Sequence, residues 1–353
     1  MGTASRHSGL SGSFPLMGLR LEPSDEYMHE LGPESNFNES MYVNIFDPAN
    51  QVGGFFRAGN RANEGYAEMT VCFYLPDGRV GFMFKRPPIT SNDALDAGGL
   101  TWTMVTPFEE LTVEYTGRVA LLDDPTDMAD PKAAFTNNPH VECEARVRFT
   151  GSGRDSMYGG EPDTPREPTG EEFAKGHYEQ LVQGRGTLRV GDQEWELAGS
   201  GLRDHSWGPR YWQAPWYYRW LTGNVDADFG FMASRVAKKD GPGTRGGFVW
   251  EEGRLHLCDG VAIATEYTGD ERYHDSIRFT LSSSQSGKSW DVTGRVRSLI
   301  PLRNRRPDPD GNMLVTRISE GMTEWTVADG RVGYGLSEYL DQIVEGAPVG
   351  IAE

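Results

Sequence analysis

The chain has 353 residues, with 34 Lys and Arg against 52 Asp and Glu, for a net charge of −18. So acidic a surface repels phosphate backbones and anionic lipid heads, which argues against a nucleic-acid or membrane-surface partner. No run approaches the ~20 apolar residues of a membrane span, and residues 1–14 lack an apolar core of signal-peptide length.

Cys72, Cys143 and Cys258 are too few and too scattered for a disulfide framework or a Cys-x-x-Cys zinc site, and they fit a reducing cytoplasm. The 44 glycines and 21 prolines point to a turn-rich, β-biased globular chain, long enough for two domains.

Residues 1–35 are polar and read as a tail or wrapping arm. "AEMTVCFYLPDGRVGFMFKRP" is two β-rich runs around Pro76-Asp77-Gly78, a hairpin signal. Two segments read as helical, Asp130–Phe135 and Thr169–Tyr178. In "HVECEARVRFTG", Val141, Cys143, Ala145, Val147 and Phe149 alternate with charged residues, which predicts a strand with one wet face. The polar, Pro-rich stretch 150–168 reads as a loop. Further hairpins turn at Gly191-Asp192 and near Glu252-Gly253. Ile277, Phe279 and Leu281 alternate with Arg278 and Thr280. "SEGMTEWTVADGRVGYGLSEYLDQ" supplies a closing hairpin and a short terminal turn. Many short antiparallel strands with regular turn signals predict an all-β fold of two barrel or sandwich domains, at 36–203 and 204–353.

Gly241-Pro-Gly243-Thr-Arg-Gly246 fits a dinucleotide fingerprint only on paper. No helix follows it, so it reads as a loop. Seven scattered histidines show no metal-ligand spacing, and no metal is expected.

"GLRDHSWGPRYWQAPWYYRW", residues 201–220, is the densest chemical signal, with four of the nine tryptophans beside an Asp-His pair. Strand parity places His205 and Trp207 on one face, and Asp204 and Ser206 on the other. Pro209 and Pro215 interrupt regular pairing. Trp207, Tyr211, Trp212, Trp216 and Tyr217 then read either as the wall of an apolar ligand site at the domain junction or as a plug of rings between domains. Arg203, Arg210 and Arg219 balance Asp204 and nearby carboxylates, or one of them clamps a ligand oxygen, Arg219 being counted with the ligand-binding set.

Asp204-His205-Ser206-Trp207-Gly208 resembles the corresponding motif of the AttH-like and carotenoid 1,2-hydratase (hydroxyneurosporene synthase) superfamily, to which tocopherol cyclase is related. "NESMYVNIF" looks like the family's Glu-Trp-Trp-Tyr hallmark, keeping Glu39 and Tyr42, with Ser40 and Met41 in place of the tryptophans. "GRVGYGLSEYLDQ" is similar to the family's last strand. The resemblance implies two lipocalin-like barrels side by side and a hydrophobic pocket. It also implies cofactor-free hydration, dehydration, isomerisation or cyclisation of an isoprenoid-like substrate. Carotenoid hydratases pair a His-x-Trp, here His205 and Trp207, with a later Tyr-x-Asp. Here the nearest acids, Asp226 and Asp228, are followed by Phe229 and have no matching tyrosine.

The expected proton donor is Asp204, Glu39 or Asp228, in that order, with His205 handling the water and Tyr42 among the substrate-binding rings. The alternative is a carrier that binds a terpenoid, steroid or other apolar metabolite without changing it.

Overall fold

A computed structural model describes residues 19–162, 173–308 and 310–352. The first sheet contains β1 (Leu19–Arg20), β2 (Phe37–Asp47), β3 (Val52–Arg61), β4 (Tyr66–Tyr74), β5 (Val80–Lys85), β6 (Asp96–Ala97), β7 (Leu100–Thr106), β8 (Glu110–Leu122), β9 (His140–Gly151), β10 (Tyr158–Pro162), β11 (Gly176–Val190) and β12 (Gln193–Pro209). Eight of these strands form a closed antiparallel ring in the order β11-β12-β2-β3-β4-β5-β8-β9, because β9 pairs with both β8 and β11. Closure removes the free edges that an open sheet exposes.

The second sheet holds β13 (Tyr217–Asn224), β14 (Phe229–Ala237), β15 (Thr244–Glu251), β16 (Arg254–Cys258), β17 (Gly260–Thr268), β18 (Tyr273–Ser282), β19 (Ser289–Pro307), β20 (Met313–Val327), β21 (Val332–Val344) and the short β22 (Ala347–Pro348). Its order is β16-β15-β14-β13-β21-β20-β19-β18-β17, with β22 beside β21. Among the described residues no ladder joins β16 to β17, so this sheet is a half-barrel, curled around Phe231, Phe279, Leu281 and Trp325. The all-β architecture of two lipocalin-like units is thus present.

Period-2 patterning decides which side of each strand is buried. In β9, Cys143, Ala145, Val147 and Phe149 face the barrel core, while Glu142, Glu144, Arg146 and Arg148 are exposed. The turns at 76–78, 191–192 and 252–253 each join paired strands, β4 to β5, β11 to β12 and β15 to β16. Helix α1 (Pro131–Asn137) fits the first helical segment, and the Asp130 carboxylate caps it by accepting from the Ala133 N–H.

Two local readings change. Residues 176–178 open β11 instead of ending a helix, because Tyr178 packs inward opposite His205; residues 169–172 lie outside the described set. Part of the expected loop is ordered into a 3-10 turn at Arg154–Ser156 and the strand β10, which pairs with β11, while 163–168 lie outside the described set.

The chain passes between the sheets through residues 210–216, a little beyond the boundary read at 203/204, because β12 stays in the first sheet through Pro209. Of the N-terminal arm, residues 19–34 lie against the first barrel: β1 pairs with β10, and Glu26 is fully buried. The sheets meet over a shared apolar layer in which Phe46, Phe55 and Tyr74 of the ring join Ile300, Met322 and Leu336 of the half-barrel. Each such buried side chain contributes roughly 1.5–3 kcal/mol. All three cysteines are buried and free. No described helix is long and apolar enough to cross a membrane.

Candidate active site

Strand β12 presents different chemistry on its two sides. His205 and Trp207 lie opposite Met41 and Glu39 of β2 and face the barrel end beneath the arm. There the Glu39 Oε1 accepts from His205 Nε2 at 2.5 Å and from His29 Nδ1 at 2.9 Å. Glu39 Oε2 accepts from the His29 N–H at 2.9 Å and the Asn92 amide at 3.2 Å. The Tyr178 hydroxyl lies 3.1 Å from His205 Nδ1. His29 stacks on Trp207 with ring centroids 4.0 Å apart. Burial raises the Glu39 carboxyl, but hydrogen bonds and charge from His205 and His29 outweigh it and bring it down to about 2. Arg203, on the same face, is held bidentately by Glu26 at 2.8 Å. This inner cluster fastens the arm to the barrel, and its carboxylate is an acceptor rather than a proton donor at neutral pH.

The opposite side of β12 looks toward the half-barrel. Glu179, Asp204, Tyr42 and Arg57 stand side by side across β11, β12, β2 and β3. Trp220, Glu338, Glu320 and Ile300 form a corresponding row across β13, β21, β20 and β19. The Trp220 indole N–H crosses between the two rows to donate to Glu179 Oε1 at 2.7 Å. His177 Nε2 lies 2.8 Å from Asp204 Oδ2 and 3.5 Å from Glu179 Oε1. The Tyr218 hydroxyl donates to Glu338.

Burial dominates the electrostatics of this layer. It pushes Glu179 up to about 7, and Glu320 and Glu338 up to about 8. For His177 burial works downward, but the Asp204 carboxylate outweighs it and the imidazole is raised. Glu179 Oε2, Glu320 Oε2, Arg57 Nη2, Arg210 Nε and both amide atoms of Asn38 are buried with no hydrogen-bond partner among the described residues. Buried polar atoms without partners are uncommon in a folded protein, and the inner cluster also has two, His29 Nε2 and Trp207 Nε1. Rings enclose the layer: Tyr42 meets Trp220 edge-on at 5.5 Å, and Phe173 meets Trp212 edge-on at 5.6 Å.

The ring-rich stretch therefore does not line a single chamber. Asp204, Tyr42 and Trp212 reach the inter-barrel layer, whereas Glu39, His205 and Trp207 belong to the inner cluster. Arg219 is fully buried in the half-barrel, bound to Asp341 at 3.1 and 3.2 Å and to the Gly350 carbonyl at 2.8 Å. It holds the C-terminal turn. Tyr217 packs beside that guanidinium, and Trp216 and Tyr211 lie under Lys239 and Arg306. Asp228 is exposed at the β13–β14 turn.

A cavity of about 80 Å³, lined by Leu181, Gln183, Asn224 and Phe248 among others, opens elsewhere between the sheets, and none of Glu39, Asp204, His205 or Asp228 lines it. It is small beside the ~300 Å³ that a drug-sized ligand occupies.

Glu179, Glu320, Glu338, His177 and Arg57 escaped the reading of the sequence. A signal was there for two of them. Leu336-Glu338-Leu340 and Ile318-Glu320-Met322 each set an acid in the middle of an apolar row, where strand parity turns it inward, Glu320 buried and Glu338 half-buried. Among the described residues, two groups of three have ligating atoms within 4.8 Å of one another, His29, Glu39 and His205, and His177, Glu179 and Asp204, so either donor set could hold a divalent cation. In this structure Glu39 is already hydrogen-bonded to His29 and His205, and His177 to Asp204.

No curated protein matches the chain in sequence. Solved structures share its fold. A Nitrosomonas europaea protein assigned as AttH has 13% identity and a TM-score of 0.56, over 96% of this chain and all of that one. CghA with Sch210972 has 14% identity and a TM-score of 0.52, over 90% of this chain and 94% of that one. Kievitone hydratase from Nectria haematococca has 10% identity and a TM-score of 0.51, over 93% and 94%. These likenesses bear out the AttH-like architecture read from residues 204–208, and at such identities they carry the fold rather than the activity. The sequence profile of the family described as Domain of unknown function (DUF7064) matches residues 22–343, from the arm into the last long strand, and the chain belongs to that family.

Proposed function

We propose that the protein is a cofactor-independent acid/base enzyme that hydrates, dehydrates, isomerises or cyclises an apolar, isoprenoid-like substrate between the two sheets. The observation that carries this reading is Glu179. It is 2% exposed, its carboxyl is pushed up to about 7, and it sits beside the His177–Asp204 pair and the Trp220 indole. A carboxyl poised near neutrality is suited both to give and to take back a proton.

In hydration, the Glu179 carboxylic acid gives its proton to one alkene carbon, and the other becomes a carbocation. The faces of Trp220 and Tyr42 stabilise that charge, at about 2 kcal/mol per desolvated ring. Water adds to the cation and loses a proton to His177, which Asp204 orients. The half-exposed imidazole then gives the proton it took to solvent and Glu179 regains one from solvent, so both groups return to their starting states and the net change is alkene plus water to alcohol. The reverse path dehydrates. In cyclisation a second double bond takes the place of water, and His177 removes the final proton. A carrier would need the rings but not three carboxyls that hold their protons near neutral pH.

The test is a panel of isoprenoid olefins and tertiary alcohols, read by mass spectrometry for gain or loss of water and for deuterium uptake. Glu179→Gln is expected to lower turnover about 10²–10⁴-fold while leaving binding in place. Wild-type turnover in Glu179→Gln removes that residue from the chemistry. A wild-type protein that binds the panel and changes none of it points to a carrier.

A further inference from the structure

Arg210 departs from the rule that buried charges are paired. Arg203 and Arg219 are comparably buried, and each is gripped bidentately by a carboxylate. Arg210 is 8% exposed, its Nη2 donates only to the Ser206 hydroxyl at 2.5 Å, its Nε has no partner, and no described carboxylate forms an ion pair with it. The neighbouring acids are otherwise engaged, Asp204 by His177 and Glu68 by Arg86. The Arg210 guanidinium lies 4.1 Å from the Phe173 ring and 5.5 Å from Trp212; Arg57 approaches Trp212 at 5.6 Å. Burial, and then the Arg57 charge, bring Arg210 down to about 10, so it remains a cation at neutral pH.

Arg57 is itself under-paired. Its Nη1 reaches Glu68 at only 3.4 Å, and its Nη2 has no partner. Beside it Asn38 is 1% exposed with both amide atoms unpaired. Gly59 lies opposite Ser40 on the neighbouring strand. A Cβ at Gly59 would sit 3.0 Å from Asn38 Oδ1 and 3.1 Å from Arg57 Nη2, closer than ordinary van der Waals contact, so the glycine lets these two polar groups come close to the strand.

We infer that the inter-barrel site takes an amphipathic substrate carrying an anionic oxygen group, a carboxylate or an ionised enol, whose charge is held by Arg210 and Arg57. This rests on the inter-barrel site of the proposed function and narrows its substrate class. An apolar skeleton would lie against Trp212, Trp220 and Tyr42, with its charged end among the unpaired guanidinium donors. Planar guanidinium groups suit a two-oxygen anion.

Farnesoic acid and farnesol share one isoprenoid skeleton and differ at the charged end, so they serve as probes, with tryptophan fluorescence and calorimetry as readouts. Wild-type protein is expected to bind the acid at least about tenfold more tightly than the alcohol, the size of one charge-assisted hydrogen bond. Arg210→Gln and Arg57→Gln are each expected to shrink that preference below about threefold while leaving farnesol binding within about twofold. Arg210→Met is expected to raise the melting temperature of the free protein, because it removes an uncompensated buried charge.

Equal affinity for the two probes, binding of neither, or an acid preference that survives both substitutions would overturn the inference. Glu179→Gln should keep the acid preference, since that carboxyl acts on the skeleton and not on the charged end. Loss of turnover in Glu179→Gln without any acid preference in wild type would leave the proposed chemistry standing and remove this subsite alone.

Discussion

Two clusters of similar composition lie back to back across β12, and they behave in opposite ways. On the arm side every oxygen of Glu39 has donors, and its carboxyl falls to about 2. On the inter-barrel side Glu179 and Glu320 each keep one oxygen without a partner, and burial lifts them to about 7 and about 8. All three acids are buried, so burial alone does not separate them. Partners do. A buried carboxylate whose oxygens are all met by donors is a fastening, whereas a buried carboxyl with too few donors holds its proton nearer neutral pH.

The sharpest way to break this contrast is Glu39→Ala. It strands His205 and His29 without their acceptor and should destabilise the protein by about 3–5 kcal/mol in urea unfolding. A loss under about 1 kcal/mol would mean that the inner cluster is no fastening.

The second effect is acid lability. Glu39 has a folded-state value depressed from 4.5 to about 2, so its contribution is complete above pH 4.5 and disappears as pH falls toward 2. About 3 kcal/mol should be lost over that window, and Glu39→Gln should flatten the fall.

The third effect runs the other way. Glu320 has a folded-state value raised from 4.5 to about 8, so its proton favours the folded state below pH 4.5, and that advantage is lost as pH rises toward 8. Glu320→Gln should therefore melt above wild type by a margin that widens between pH 5 and pH 8. A margin that stays constant or narrows would show that Glu320 is already ionised. The smallest expected effect is Asp228→Asn at the exposed β13–β14 turn, within about 0.5 kcal/mol of wild type by thermal melting.

Local periodicity made much of the fold readable. The alternation in β9, the hairpins at 76–78 and 191–192 and the parity of Asp204 against His205 all depend on neighbours within a few residues, and each holds in the structure. The opening of β11 was hidden, because residues 176–178 take their meaning from β12, close to thirty residues downstream. The inter-barrel acids were hidden for the same reason on a larger scale. Glu179 meets Trp220, and Tyr74 donates to the carbonyl of Glu320, 246 residues away, so neither environment can be seen in a short window. The aromatic stretch pointed to β12, but one strand cannot reveal that its two faces meet separate clusters of charged groups.

The unequal closure of the two sheets bears on how the proposed substrate would enter. A ring of eight laddered strands resists any change of diameter, because flexing it breaks hydrogen bonds all round. The half-barrel has a seam between β16 and β17, and it can uncurl along that seam with its other ladders intact. Trp220, Glu338 and Glu320 ride on this pliable wall, while Glu179, His177, Asp204 and Arg57 are fixed in the stiff one, so breathing of one sheet against the other would part Trp220 from Glu179 while Glu179 and His177 keep their spacing.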